Sequence, residues 1–132
     1  MTTIDHPFRF PHDLSFSARE EFEAGYRQKK LLAALNHVER FDGLAVDVGA
    51  HVGSWSVSLA RQFTSVLALE PDPDNFALLV ENTASFINVT ARRVAVGATA
   101  GRVSVFRKRL FKSDGQWHDK GGLSSVVQRS AE

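Results

Sequence analysis

Two short apolar runs, each followed by a turn and the start of a helix, constrain the fold of this chain more than any other feature. The first run, Leu44–Val48, leads into Gly49-Ala-His-Val-Gly53, and the second, Ser65–Leu69, leads into Glu70-Pro-Asp-Pro73. Continuous apolar runs of this length are typical of strands buried on both faces of a sheet. Strands that alternate with helices are joined by right-handed crossovers. The pattern therefore predicts an α/β fold with a mostly parallel sheet and flanking helices.

The rest of the chain extends this pattern. Apolar residues at helical spacing predict a long amphipathic helix from Ser15 or Ser17 to about Phe41. Further strands are expected over 89–96 and 102–106, joined as a hairpin by a tight turn at 97–101, with one more strand over 122–127. Ser54 and Asp72 are expected to cap the two helices of the crossovers. The residues expected to face inward from the last helix are Phe76, Leu79 and Val80.

Length and composition indicate one globular domain. The chain has 132 residues, of which 43% are hydrophobic, and 16 Lys and Arg balance 15 Asp and Glu. With no cysteine, disulfides, thiolate metal sites and a cysteine nucleophile are excluded. No segment is long and apolar enough for a membrane span, and the polar start is not a signal peptide, which predicts a soluble, cytoplasmic protein. We expect an N-terminal arm over 1–14 and a single Rossmann-like domain over 15–132.

The first candidate site is the loop that follows the first strand. In parallel α/β sheets, ligands lie beyond the carboxyl ends of the strands. Gly49 allows the backbone to turn sharply and approach a ligand, and Gly53 allows the next helix to start close to the strand. Backbone N–H groups near Ser54 and Trp55 are candidates to hold a carboxylate or another anion.

The second candidate is Glu70, which ends the second strand about 20 residues after the loop. A carboxylate at this position can accept hydrogen bonds from both hydroxyls of a ribose, as in dinucleotide-binding folds. A glycine loop alone is a weak signal, and an acidic residue alone is more often a solvated strand end. The two at this spacing, each between a strand and a helix, predict a site for an adenosine-containing ligand.

The identity of residue 51 narrows the choice of ligand. Nicotinamide and flavin loops have glycine at the position that His51 occupies here, because the backbone must touch a pyrophosphate. No Gly-Lys-Ser/Thr follows, which excludes a P-loop. S-adenosylmethionine contains adenosine without a pyrophosphate, and its ammonium would lie toward Asp47. Another adenosine ligand, such as ATP or NAD, remains a weaker alternative.

The sequence resembles the FkbM family of class I S-adenosylmethionine-dependent methyltransferases over about residues 40–127. The resemblance is carried by three segments: Val46-Asp-Val-Gly-Ala-His-Val-Gly53, Leu69-Glu-Pro-Asp-Pro-Asp-Asn-Phe76, and Arg93-Val-Ala-Val-Gly97 followed by Gly101-Arg-Val-Ser-Val-Phe106. It implies a minimal version of the class I fold that binds S-adenosylmethionine and releases S-adenosylhomocysteine. By this resemblance, Asp47, Gly49 and Gly53 line the methionine side of the cofactor, Glu70 binds the ribose, Pro71 and Asp72 flank the adenosine, and Arg93 and Val94 lie against the adenine. The other loop residues expected to contact the cofactor are Ala50, His51, Ser54 and Trp55.

The resemblance implies O-methyl transfer to a small molecule or sugar. The family pattern continues into a strand with an acidic D-x-E-G motif, which this sequence lacks. The alternative is therefore a protein that binds S-adenosylmethionine without transferring its methyl group, as a sensor, a sequestering protein or a truncated relative. In the class I arrangement the first strand is central, so we expect either residues 122–127 or a second copy of the chain beside it, and hence a homodimer or higher oligomer.

Other candidates have weaker signals. His51 is a candidate base, although a loop histidine that shapes the turn is the favoured interpretation. A basic segment could hold phosphate or RNA but is more often solvated; it contains Arg107, Lys108, Arg109 and Lys112. Three polar residues could form a metal or acid–base set, although a solvated loop is favoured; they are Asp114, His118 and Asp119. Trp117 is a candidate substrate platform.

Overall fold

In the computed structural model of the chain, the described residues are 8–10, 26–111, 113–115 and 117–128. Within these ranges the chain forms three helices and five strands. They are α1 (Tyr26–Leu35), β1 (Leu44–Val48), α2 (Ser54–Ala60), β2 (Ser65–Leu69), α3 (Pro73–Thr83), β3 (Val89–Arg92), β4 (Val103–Phe111) and β5 (Trp117–Gln128). The predicted helix start at Ser15 or Ser17 lies outside the described residues. None of the described helices is both long and apolar enough to span a membrane.

The first three strands form a parallel sheet in the order β1-β2-β3. Its register places Ala45 beside Val66 and Val66 beside Val89. This βαβαβ arrangement corresponds to one half of a Rossmann-like sheet, so the predicted α/β fold class is confirmed.

All three helices pack on the same face of this sheet. Ala45 and Val66 form one cluster with Leu31 of α1 and Leu59 of α2. On the same face, Ala68 packs with Leu79 of α3, which is fully buried. Burial of these side chains is the main favourable contribution to folding, at about 1.5–3 kcal/mol for each large apolar side chain. This packing holds the turns after β1 and β2 at the carboxyl edge of the sheet.

The opposite face carries an exposed apolar row on β1. Leu44, Val46 and Val48 are 59%, 51% and 61% exposed, and the strand pairs with β2 alone among the described strands. One expected arrangement placed residues 122–127 beside the first strand. In the structure these residues belong to β5, which pairs antiparallel with β4 and not with β1.

Several predicted boundaries were wrong. The third strand ends at Arg92 instead of residue 96, because β2 stops at Leu69 and offers no further hydrogen-bonding partner. The turn at 97–101 does not join a β3–β4 hairpin, since the C-terminal hairpin is formed by β4 and β5. Helix α1 ends at Leu35 instead of near Phe41. Directly after Leu35, tight backbone turns lead the chain toward β1.

The inward face of α3 also differs from the prediction. Leu79 is buried and Phe76 packs against its cluster, as predicted, whereas Val80 is exposed. Three polar residues, Asn75, Asn82 and Thr83, are buried on the inner face of α3. Val80, which the apolar pattern placed on that face, lies outside it. A helix has 3.6 residues per turn, and position 80 falls just outside the face defined by residues 72, 75, 79 and 82.

Candidate functional site

The loop after β1 has a left-handed backbone at three positions. Gly49, His51 and Gly53 have φ values of 76°, 53° and 91°. Glycine adopts this region freely, while histidine is one of the few other residues enriched there. A Cβ added at Gly49 would meet no atom within 4 Å. Among the described residues, the space above Gly49 is therefore open.

Gly53 has a different reason to be glycine from the one predicted. The sequence suggested close approach of the helix to the strand. In the structure, a Cβ at Gly53 would lie 2.8 Å from Cδ1 of Leu79 and 3.5 Å from Cγ2 of Thr83, both on α3. Because Leu79 is fully buried, it has little room to move. Gly53 thus allows the start of α2 to pack against α3.

The carboxylate of Asp47 is buried and serves the start of α2. Its Oδ2 accepts a hydrogen bond of 2.6 Å from the Oγ of Ser56, and the backbone of Ser56 also hydrogen-bonds to it. Ser54 does not cap the helix as predicted: the N-cap is Gly53, which has no side chain to accept a bond. Asp47 supplies that missing acceptor from six residues earlier in the chain. Burial raises the pKa of Asp47, partly opposed by the bonds from Ser56.

Glu70 joins the two turns at the carboxyl edge of the sheet. Its side chain is only 5% exposed. One carboxylate oxygen, Oε2, accepts a bond of 2.8 Å from the backbone N–H of His51, and the other, Oε1, accepts one of 2.9 Å from the backbone N–H of Asp72. The pairing of the glycine loop with the acidic residue, predicted from their spacing, is therefore a direct contact. Sequence reasoning did not predict that the backbone of His51 would make it.

The glycine loop is also bonded to the end of β2 through its backbone. The N–H groups of Gly49 and Ala50 both donate to the carbonyl of Leu69, at 2.9 and 3.0 Å, and the N–H of Gly53 donates to the carbonyl of Ala50 at 2.8 Å. Together with the bond from His51 to Glu70, this engages four of the loop's backbone donors within the protein. These four groups hold the loop and are not open donors for an anion.

The turn after β2 is built from side-chain acceptors. Asp72 is fully buried, and its Oδ1 accepts bonds from the backbone N–H groups of Asp74 at 3.0 Å and Asn75 at 3.2 Å. Asp72 is therefore the N-cap of α3, with Pro73 at the first helical position, as predicted.

The predicted adenine-side residues lie next to this turn. The N–H of Glu70 donates to the carbonyl of Arg92 at 3.1 Å, which places the segment that starts with Arg93 and Val94 beside the end of β2. Both of these residues are exposed, and Pro71 is half-buried. The structure thus brings the segment to the same sheet edge as Glu70.

A cleft of about 510 Å³ opens beside the glycine loop, between α1, β1 and α2. Its volume lies within the range of small-molecule sites, roughly 300–1,000 Å³. Six of the predicted residues line it: Asp47, Gly49, Ala50, His51, Ser54 and Trp55. Gly53, Glu70, Pro71, Asp72, Arg93 and Val94 do not line this cleft. The predicted loop residues other than Gly53 therefore line the cleft, while Glu70, Pro71 and Asp72 lie at the turn after β2 and Arg93 and Val94 follow β3.

Two residues that support this region were missed by the sequence analysis. One is Ser56, the partner of Asp47. The other is Asn82, whose Nδ2 donates to the carbonyl of Val52 at 2.8 Å and to the carbonyl of Arg9 at 3.0 Å, while its Oδ1 accepts from the N–H of Arg9. Asn82 thus ties the arm and the glycine loop to α3. The sequence does contain a signal for Asn82, since its amide lies three residues after Leu79 and hence on the inward face of the helix.

The remaining candidates have no described role. Arg107, Lys108 and Arg109 fall on β4, and Lys112 lies outside the described residues. Trp117, His118 and Asp119 fall on β5, whereas Asp114 is in the exposed turn before it. Over the described residues, no group of three or more His, Asp and Glu side chains is placed to hold a metal ion.

Similarity of this chain to known proteins is found among solved structures. No family model matches the sequence, and no curated protein matches it significantly. The precorrin-6y C5,15-methyltransferase from Geobacter metallireducens GS-15 matches with 22% identity and a TM-score of 0.48, over 68% of this chain and 45% of that chain. The chain therefore spans less than half the length of that protein.

Two complexes of DhpI also match this chain. Its complex with SAH matches with 15% identity and a TM-score of 0.48, over 89% of this chain and 72% of that chain. Its complex with SAM and HEP matches with 14% identity and a TM-score of 0.47, over 86% of this chain and 77% of that chain. At these identities, no residue role is transferred from these proteins to this chain.

Proposed function

We propose that this chain binds S-adenosylmethionine at the carboxyl edge of its parallel sheet and transfers the methyl group to an acceptor, as a small O-methyltransferase. The observation that carries the proposal is the position of Glu70. A nearly buried carboxylate at the end of β2 is held by the N–H groups of His51 and Asp72. The cleft beside the same loop has the volume of a ligand site.

The donor and acceptor chemistry of the site fits S-adenosylmethionine. Each oxygen of Glu70 accepts one described backbone bond and has a second lone pair, so the carboxylate can also accept from the two hydroxyls of a ribose. Residue 51 is a histidine where a pyrophosphate-binding loop needs glycine so that bare backbone can touch the phosphates. S-adenosylmethionine has the ribose and the adenine without phosphate. When bound, it supplies a methyl group on a sulfonium, which is already activated for transfer.

The chain's own contribution to transfer would be positioning. Asp47 and Glu70 both accept hydrogen bonds from donors inside the protein, so each holds the structure of the site. An acceptor aligned with the methyl group in a site that excludes water gains rate from orientation alone. The mostly apolar cleft, which includes Ala50, Trp55 and Leu59, suits a small acceptor with an apolar part.

Cofactor binding without transfer is the second candidate. It is favoured by the engagement of both carboxylates, because neither Asp47 nor Glu70 is placed as an open general base. The two candidates differ in one measurable property. A methyltransferase moves labelled methyl from S-adenosylmethionine to a small-molecule pool, and a binding protein does not.

Isothermal titration with S-adenosylmethionine and S-adenosylhomocysteine tests the binding step that both candidates share. We expect Glu70→Gln to weaken binding roughly 10- to 100-fold, since a hydrogen bond to a charged group contributes about 1.5–3 kcal/mol. The matched control is Glu81→Gln on exposed α3 surface, which should bind as the unmodified chain does. Absence of binding at millimolar ligand, or tighter binding of ATP or NAD, would contradict the proposal.

Self-association through β1 is a further part of the proposal. Among the described strands β1 pairs with β2 alone, and its exposed row of Leu44, Val46 and Val48 contains no charged residue or proline, since Asp47 is buried on the other face. A two-fold axis would pair β1 with its own copy in antiparallel orientation. Light scattering should show a dimer or larger species at micromolar concentration, and Val46→Lys should shift it to monomer. Val80→Lys, on the exposed side of α3, is the control. A monomeric unmodified chain would refute this part.

A further inference from the structure

We propose that His51 is a positioning residue that acts through its backbone. Its left-handed conformation directs its N–H to Glu70 and holds that carboxylate in place for a vicinal diol, and its imidazole is not a catalytic base. The inference deepens the proposed function, because it rests on Glu70 as the residue that receives the ribose.

The geometry of the loop singles out this residue. Of the described residues other than glycine, His51 alone has a positive φ, at 53°. A left-handed conformation costs an L-residue free energy, and such strain is maintained where surrounding contacts compensate for it. The compensating contacts include the 2.8 Å bond from the N–H of His51 to Oε2 of Glu70. The neighbouring donors of Gly49 and Ala50 bind the carbonyl of Leu69 instead.

The hydrogen bond from His51 helps to fix the orientation of the Glu70 carboxylate before a ligand binds. A glutamate side chain has three rotatable bonds, and its ordering costs entropy when it occurs only on binding. Here each oxygen is held by a backbone donor, His51 on one side and Asp72 on the other. The orientation of the carboxylate is set before a ligand arrives, which increases affinity by preorganisation. Loss of the His51 bond would release one of the two oxygens.

The identity of residue 51 then matters through backbone preference. Glycine adopts positive φ freely and asparagine tolerates it, whereas a β-branched residue rarely adopts it. We expect His51→Val to weaken binding of adenosine and S-adenosylhomocysteine about tenfold, which corresponds to roughly 1.4 kcal/mol. His51→Asn and His51→Gly should both bind these ligands more tightly than His51→Val. If the imidazole itself were required, asparagine and glycine would be as impaired as valine, and the proposal would be refuted.

A pair of ligands separates this role from a general effect on folding. Adenosine presents the diol to Glu70, and 2′,3′-dideoxyadenosine does not. The proposal predicts that His51→Val weakens adenosine binding much more than dideoxyadenosine binding, measured by titration with folding checked by circular dichroism. Equal losses for the two ligands would mean that the substitution only distorts the loop, and would overturn the proposal.

A test without ligand keeps the inference separate from the proposed function. If the unmodified chain binds neither S-adenosylhomocysteine nor adenosine, the proposed function fails, but the contact between residues 51 and 70 can still be measured. His51→Val, Glu70→Gln and the double variant form a cycle in chemical denaturation. Coupling of at least about twofold in the unfolding equilibrium constant is expected for residues in direct contact. Additive effects would show that His51 does not hold Glu70.

Discussion

The turn after β1 and the turn after β2 both lead a parallel strand into a helix on the same face of the sheet, yet they are built differently. The first relies on left-handed backbone at Gly49, His51 and Gly53. The second relies on the side chain of Asp72, which caps α3, while Glu70 connects the two turns. In the first turn, the capping acceptor for the helix comes from Asp47, within the preceding strand.

This difference shows how a sheet edge can be both closely packed and accessible. Glycines remove side chains from the first turn, so that its backbone reaches the carbonyl of Leu69 while the space above Gly49 stays open. The second turn has no glycine and fills its interior with carboxylates. Substitutions should therefore affect the two turns through different physical causes: steric and backbone strain in the first, and loss of hydrogen bonds in the second.

The largest effect is expected from Gly53→Ala. The added methyl would overlap Leu79 at 2.8 Å, at a φ of 91°, and the combined cost of overpacking and left-handed strain is roughly 2–5 kcal/mol. Gly49→Ala has the strain without the overlap and should cost only about 1–2 kcal/mol. Chemical denaturation measures both. Gly43→Ala, with open space and no positive φ, is the control. If Gly53→Ala were as stable as the control, the conclusion that steric overlap and backbone strain govern substitutions in the first turn would be wrong.

An intermediate effect is expected from Asp72→Ala. Loss of the cap leaves the N–H groups of Asp74 and Asn75 without this acceptor, at a cost of about 0.5–2 kcal/mol in the free energy of unfolding. Asp72→Asn retains a side-chain oxygen and should keep most of the stability, because asparagine caps helices about as well. If alanine and asparagine were equally destabilising, the burial of Asp72 would matter more than its role as an acceptor.

The smallest effect is a pH dependence that comes from Asp47. Burial raises its pKa above the ordinary 3.8, so the folded chain binds this proton more tightly than the unfolded chain does. Between 3.8 and the raised pKa, the folded state holds more protons, and stability falls as pH rises. The free energy of unfolding of the unmodified chain, minus that of Asp47→Asn, should therefore be constant below this window and decrease through it. An increase with pH would mean that the bonds from Ser56 outweigh burial.

The strength of the sequence prediction varied with the range of the interactions involved. Strands β1 and β2 were predicted with their observed bounds, since a five-residue run with four apolar residues followed by a turn forms a local pattern. The Asp72 cap and the closeness of Glu70 to the glycine loop followed from spacing for the same reason. The length of β3 was wrong, because it depends on where its partner β2 ends. The pairing of β5 with β4 was missed, since apolar alternation alone does not identify a partner strand.

By itself, the sequence determined the order of strands and helices, the two turns and the pairing of a glycine loop with an acidic residue. These follow from periodicity, backbone preference and the common geometry of parallel strands. The tertiary structure alone decided which atoms carry each contact: the N–H of His51 on Glu70, Ser56 on Asp47, and Leu79 against Gly53. The physical reason is that hydrogen bonds and packing depend on atomic separations of tenths of an ångström between segments distant in the chain.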